Sequence, residues 1–211
     1  IAVIPATSAK KYQPLDPKAK ELIKEKYTDG KEYFLFNGVI HPRSCLVNLL
    51  KAFSLFKKRQ KSNMQLIIAS QTFSEDAAFV ESLKLYKYRN EIKILSNLEE
   101  RLLMEVTASA YACINISPLH NEIAVLLNAM ECEVPVIAGN LKVAIELLGD
   151  AALYVNSAMP ESIAEKLMLL YKDENKRSEL VKKGLEQSAN YSVNETADKF
   201  WQSILTTMQP A

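Results

Sequence analysis

The sequence predicts an α/β fold: a six-stranded, mostly parallel sheet, doubly wound by helices and followed by a helical C-terminal tail. Three observations lead there. Short apolar runs recur along the chain, and their length and uniform hydrophobicity suit strands buried on both faces. Between them lie segments whose apolar residues return every three or four positions, the stripe of a helix with one face in a core. The two kinds of segment alternate, and regular strand–helix alternation is the pattern of a parallel sheet wrapped on both sides.

Each element has its own signal. Pro14 and Pro17 mark a polar lead-in to a helix over about Lys18–Lys26, and "YFLFNGV" (33–39) is the first strand. Leu46, Leu49, Leu50, Phe53 and Phe56 then draw one helix face, with Ser44 placed to cap it. "MQLIIAS" (64–70) is the second strand. Its helix, "SEDAAFVESLKLYK", opens at Ser74 with acids that suit a positive helix end. "IKILS" (92–96) is the third strand, and Ser96 and Glu99 have capping-box spacing for the helix after it. "YACINIS" (111–117) is the fourth strand, and the helix that follows begins within "SPLHNEIAVLLNAM". "VPVIAG" (134–139) and "AALYV" (151–155) are the fifth and sixth strands, separated by a short helix over Val143–Leu147. Three helical segments close the chain. "KKRQK" (57–61) ends a helix, where cations favour the negative pole and face water.

The bulk numbers narrow the function classes. With 211 residues, 48% of them hydrophobic and 24% charged, the chain has the make-up of an ordinary globular domain. A net charge of +1 gives no general attraction to nucleic acid or anionic lipid. Cys45, Cys113 and Cys132 are an odd, widely spaced set with no metal or redox motif, which reads as reduced thiols in a cytoplasmic protein. No apolar run approaches the ~18 residues of a membrane span, so any membrane contact is expected to be peripheral. The first residue is Ile1, within a strand-like run, which suggests a domain cut from a longer chain.

In a sheet of this kind, ligands bind outside the carboxyl ends of the strands. The exits are Gly38–Ser44, Ser70–Phe73, Ser96–Asn97, Ser117–Glu122 and Gly139–Lys142, and both histidines, His41 and His120, lie among them. For either histidine alone, a turn-forming role is the simpler reading. Neither G-x-G-x-x-G nor G-x-x-x-x-G-K-[ST] occurs, which excludes the dinucleotide and P-loop fingerprints. A helix start can still hold a diphosphate through its N–H groups. Glu122 would oppose that, and Arg43 and Lys142 are the cations placed to offset it, or are solvated loop charges. Asn121 and Asn128, seven apart, share a helix face. They can hold hydroxyls or cap and solvate a helix, but cannot act as acid or base.

Read together, the segments resemble the C-terminal, donor-binding domain of group 1 (family 4) retaining glycosyltransferases of the GT-B fold, a Rossmann-like domain. "SPLHNEIAVLLNAMECEVPVIAG" aligns without gaps to that family's S-x-x-E-G-F-G-x-P-x-x-E-A-M-x-x-G-x-P-V-I. "VIPATS", "KEYFLFNGVIHPRSCLVNLLKAFSLF", "IELLGDAALYV" and the closing helices resemble its other segments.

The resemblance implies a linker and entry segment over 1–30 and a nucleotide-sugar-binding domain over 31–211, preceded by an acceptor domain this chain lacks. It implies sugar transfer from a nucleotide-diphosphate sugar with retention, in polysaccharide or glycoconjugate biosynthesis, with no cofactor and no protein-bound metal. The partners it implies are the donor and the N-terminal domain of the same protein, not nucleic acid, with membrane contact only through the missing domain. The fragment alone should be inactive. By the same resemblance, Gly38, Val39, Arg43, Ser44, Asn121, Glu122, Ile123, Asn128 and Lys142 lie at the donor. His120 stands in the place of the first motif glutamate and Asn128 in that of the second, which holds the ribose. Val39 replaces an arginine and Ser44 the phosphate-binding lysine, with Arg43 beside it.

These substitutions leave a second expectation open: a transferase-like domain that has lost catalysis and serves as a binding or scaffold module. A flavodoxin- or receiver-like domain fits the alternation but lacks the acidic cluster or phosphate loop at its first strand exit. Every reading of a donor site expects the loops at 38–44, 117–123 and 139–142 to converge on one crevice.

Overall fold

The computed structural model describes residues 12–70, 77–118, 124–191 and 193–208. The strands are β1 (Tyr33–Asn37), β2 (Gln65–Ser70), β3 (Ile92–Ser96), β4 (Ala112–Asn115), β5 (Val136–Gly139) and β6 (Ala152–Val155). They form one sheet in the order β3-β2-β1-β4-β5-β6. All five pairings are parallel, with Phe36 opposite Ile68 on one side and Ile114 on the other. The chain works outward from β1 to β3, then returns to the other side of β1 to start β4. Strand order therefore reverses between β1 and β4, where open sheets of this kind hold their ligands.

The helices are α1 (Pro17–Thr28), α2 (Leu46–Gln60), α3 (Ala77–Lys84), α4 (Glu100–Ala108), α5 (Ala124–Glu131), α6 (Lys142–Leu148), α7 (Pro160–Lys172), α8 (Glu174–Ser188) and α9 (Val193–Met208). Strand residues alternate between faces, so Phe34, Phe36, Ile68 and Ile114 join one core with α2, α3 and α7. Tyr33, Leu35, Ile67, Cys113 and Val136 join the other with α1, α4, α5 and α6. In the first core Phe56 sits edge-on to Phe34 and Tyr171, with ring centroids 5.2 and 5.3 Å away, and stacks on Phe53. Burial is complete along β1 and β2 and falls off at β3, where the three middle residues are partly exposed. Among the described residues no helix is long and apolar enough to cross a membrane.

Several local expectations need correction. Ser44 does not cap α2: its hydroxyl donates to the Val39 carbonyl at 2.7 Å, and Cys45 takes the cap position without a side-chain capping bond. Cys45 has φ 58°, a left-handed conformation that costs a non-glycine residue roughly 1–2 kcal/mol. The Ser96–Glu99 capping box is also absent. Ser96 remains in β3 and pairs with Ser70, Asn97 makes a left-handed turn (φ 54°), and Glu99 starts α4 without a side-chain cap bond.

Lys57 does not face water. It is buried at the end of α2, donates to the Ser62 and Met64 carbonyls and pairs with Glu91. The segment closing residues 58–64 folds back over it, which nothing in "KKRQK" announces. The expected start of α3 at Ser74 lies outside the described residues.

Candidate functional site

The exit of β1 is held tightly. The Gly38 N–H donates to the Ala69 carbonyl, Ile40 is fully buried, and the buried Ser44 hydroxyl is engaged by Val39. His41 accepts the Arg43 N–H on Nδ1 at 3.1 Å and caps the short 3-10 turn Pro42–Ser44. Its place is the turn-forming one. Arg43 is exposed on that turn.

At the exit of β4, Asn115 is buried and its side-chain amide donates to the Asn37 carbonyl at 2.9 Å. Its oxygen accepts the Ser117 N–H at 3.0 Å. The two strands on either side of the order reversal are thus clasped by an asparagine side chain.

The exits of β5 and β6 join them. A Cβ added at Gly139 would lie 2.9 Å from the Ser157 hydroxyl and 3.4 Å from the Ile116 carbonyl, so the ends of β4, β5 and β6 meet at this glycine. The Ser157 carbonyl in turn accepts from the Asn48 side chain in the first turn of α2, at 3.0 Å. The carboxyl ends of β1, β4 and β5 are neighbours in the sheet, and the segment after β6 reaches from Gly139 to the first turn of α2. Asn37, Asn48, Asn115 and Ser157 are not among the residues the sequence reading singled out. The signal for two of them was present: single asparagines inside "YFLFN" and "ACIN", where an aliphatic residue would have continued the run.

Lys142 begins α6 with its side chain 92% exposed, 3.8 Å from the Glu146 carboxylate. Asn128 is half-buried in α5, with its side chain close to the Tyr12 hydroxyl. Burial, then the Glu100 charge, pushes that phenol up to about 12. It stays protonated near neutral pH. His120, Asn121, Glu122 and Ile123 lie outside the described residues.

Burial raises the Cys113 and Cys132 thiols to about 12, which leaves them protonated and poor nucleophiles. Among the described residues no three His, Cys, Asp or Glu side chains gather as a metal-binding group. The arrangement offers hydrogen bonds more than charge, and its chemistry is that of holding a polar ligand.

Comparison with known proteins adds three findings. The family model described as glycosyl transferases group 1 matches residues 18–187. O-antigen chain mannosyltransferase B of Escherichia coli is 24% identical over 160 residues, which are 76% of this chain and 42% of that protein. Among solved structures, Anabaena HepE in complex with UDP and glucose superposes with a TM-score of 0.85 at 13% identity, over 97% of this chain and 57% of that one. WaaG, a glycosyltransferase involved in lipopolysaccharide biosynthesis, gives 0.77 at 16% identity, over 93% and 55%. The chain spans about half the length of the relatives it matches.

Proposed function

This chain belongs to the group 1 glycosyl transferases, and we propose that it is the donor-binding half of an enzyme building a polysaccharide or glycoconjugate. The observation that carries the proposal is the family match laid over a sheet whose order reverses between β1 and β4, with hydrogen-bonding side chains gathered at that point. The O-antigen mannosyltransferase and the UDP- and glucose-bound HepE structure support a nucleotide-sugar donor and a polysaccharide product. In this reading the diphosphate rests over the carboxyl ends of β1 and β4. Transfer breaks the bond between the sugar and the diphosphate and joins the sugar to an acceptor hydroxyl with retained configuration. An N-terminal domain of the same protein supplies the acceptor side, the full protein works in the cytoplasm without a cofactor or a protein-held metal, and the 211 residues alone do not catalyse transfer.

The test is calorimetric titration of UDP-, GDP- and ADP-sugars into the full-length protein. One of them is expected to bind saturably, and no heat from any would overturn the proposal.

One observation favours a second reading, a binding module without catalysis: His120 and Asn128 stand where the resemblance expects carboxylates. Charge-assisted hydrogen bonds are roughly twice as strong as neutral ones, so this exchange weakens a hydroxyl-holding site. A transferase adapted to His120 and Asn128 should lose about tenfold or more in kcat/KM when they become His120→Glu and Asn128→Glu, a change of ~1.4 kcal/mol in the barrier. Turnover absent from the native protein and restored by the exchange would establish the module reading instead.

A further inference from the structure

We infer that Asn37 donates a hydrogen bond to the diphosphate of the nucleotide sugar, an inference that rests on the donor-site reading above. Asn37 is the last residue of β1, 4% exposed, and its side-chain nitrogen is buried without a hydrogen-bond partner among the described residues. The polar groups beside it are satisfied: its own carbonyl by Asn115, and the Asn115 oxygen by Ser117. A buried amide left unpaired weakens a fold, and a native structure that keeps one calls for a reason. The rest of β1 is Tyr33, Phe34, Leu35 and Phe36, so a leucine at 37 would extend the apolar run and remove the unpaired group.

The location supplies the reason. Asn37 follows Leu35 by two residues and Asn115 follows Cys113 by two, so both asparagines lie on the face of the sheet that carries α5. In that row Asn37 is flanked by Ala69 on β2, and Asn115 by Ala138 on β5. Two asparagines between two alanines, at the reversal of strand order, make a polar floor without bulky flanking side chains. Of the cations of neighbouring loops, Arg43 is exposed on its turn and Lys142 extends into solvent near Glu146. A diphosphate here needs N–H donors, and the Asn37 amide is one that the protein does not use itself. Among the described residues its nitrogen has no partner, so it can meet a ligand oxygen without giving up a bond.

The experiment uses full-length protein and calorimetry with UDP, GDP and ADP, each beside its own nucleoside. For the nucleotide that wild type binds, Asn37→Leu should weaken the diphosphate about tenfold, the worth of one hydrogen bond to a charged group, and leave the nucleoside unchanged. The same variant should unfold at higher urea concentration than wild type, the opposite of what a purely structural asparagine would give. Asn37→Ala, which has no side-chain donor and cannot fail through overpacking, should show the same diphosphate-selective loss.

Equal weakening of diphosphate and nucleoside, or no weakening in either variant, overturns the inference while leaving the donor site standing. A wild-type protein that binds none of the three nucleotides overturns both.

Discussion

Lys57→Ala lowers the free energy of unfolding by about 3 kcal/mol, measured as a shift in urea midpoint at unchanged slope. The ammonium group is buried, donates to the carbonyls of Ser62 and Met64 (3.1 Å for the latter), pairs with Glu91, and lies 5.8 Å over the Phe53 ring. Alanine leaves two carbonyls to find water in a space the chain has closed, each loss costing roughly 1 kcal/mol or more. It also removes the packing of a four-carbon stem. Glu91 retains partial access to solvent, which places the cost at the low end of the range for a broken buried pair. Glu91→Gln, which keeps the lysine and its carbonyl partners, should cost about 1 kcal/mol or less. Equal costs for the two substitutions would mean that the ion pair, not the carbonyl cage, holds this corner.

Phe56→Ala is expected to cost about 3–5 kcal/mol, the range for removing a buried aromatic side chain. Phe56 is the hub of a cluster that joins β1 through Phe34, α2 through Phe53 and α7 through Tyr171. The cavity opens between a central strand and two helices, none of which can close it without dragging the others. Phe56→Leu, which keeps most of the volume, should cost under about 1.5 kcal/mol. Thermal or urea denaturation of the pair separates lost volume from lost ring geometry. If leucine costs as much as alanine, the edge-to-face contacts carry more of the stability than cavity formation does.

Much of this architecture was legible before any coordinates. Strands buried on both faces cannot hide in a sequence, because almost every residue must be apolar; "YFLFN" and "QLIIAS" are fully buried as expected. The α2 stripe was equally clear, since Leu46, Leu49, Leu50, Phe53 and Phe56 all enter the core. What failed were side chains whose partners come from elsewhere in the chain. Ser44 has the right residue type for a cap, yet the Val39 carbonyl, five residues back, claims its hydroxyl. Lys57 looked solvated because the carbonyls that surround it are brought in by a turn.

The candidate site divides in the same way. The strand exits that form it follow from strand positions alone. The Asn115–Asn37 clasp depends on β4 crossing back beside β1, across 78 positions in sequence, and no local pattern reports that.

The uneven burial of the sheet has a consequence for how the molecule breathes. Local openings begin where few layers must part. Here that is β3, an edge strand with half-exposed residues, while β1 lies between two neighbours and under helices on both faces. An amide proton on β1 escapes only when several elements separate together; one on β3 needs little more than a fraying rim. The asparagine floor therefore belongs to the quietest part of the protein, and whatever settles on it meets a surface already still.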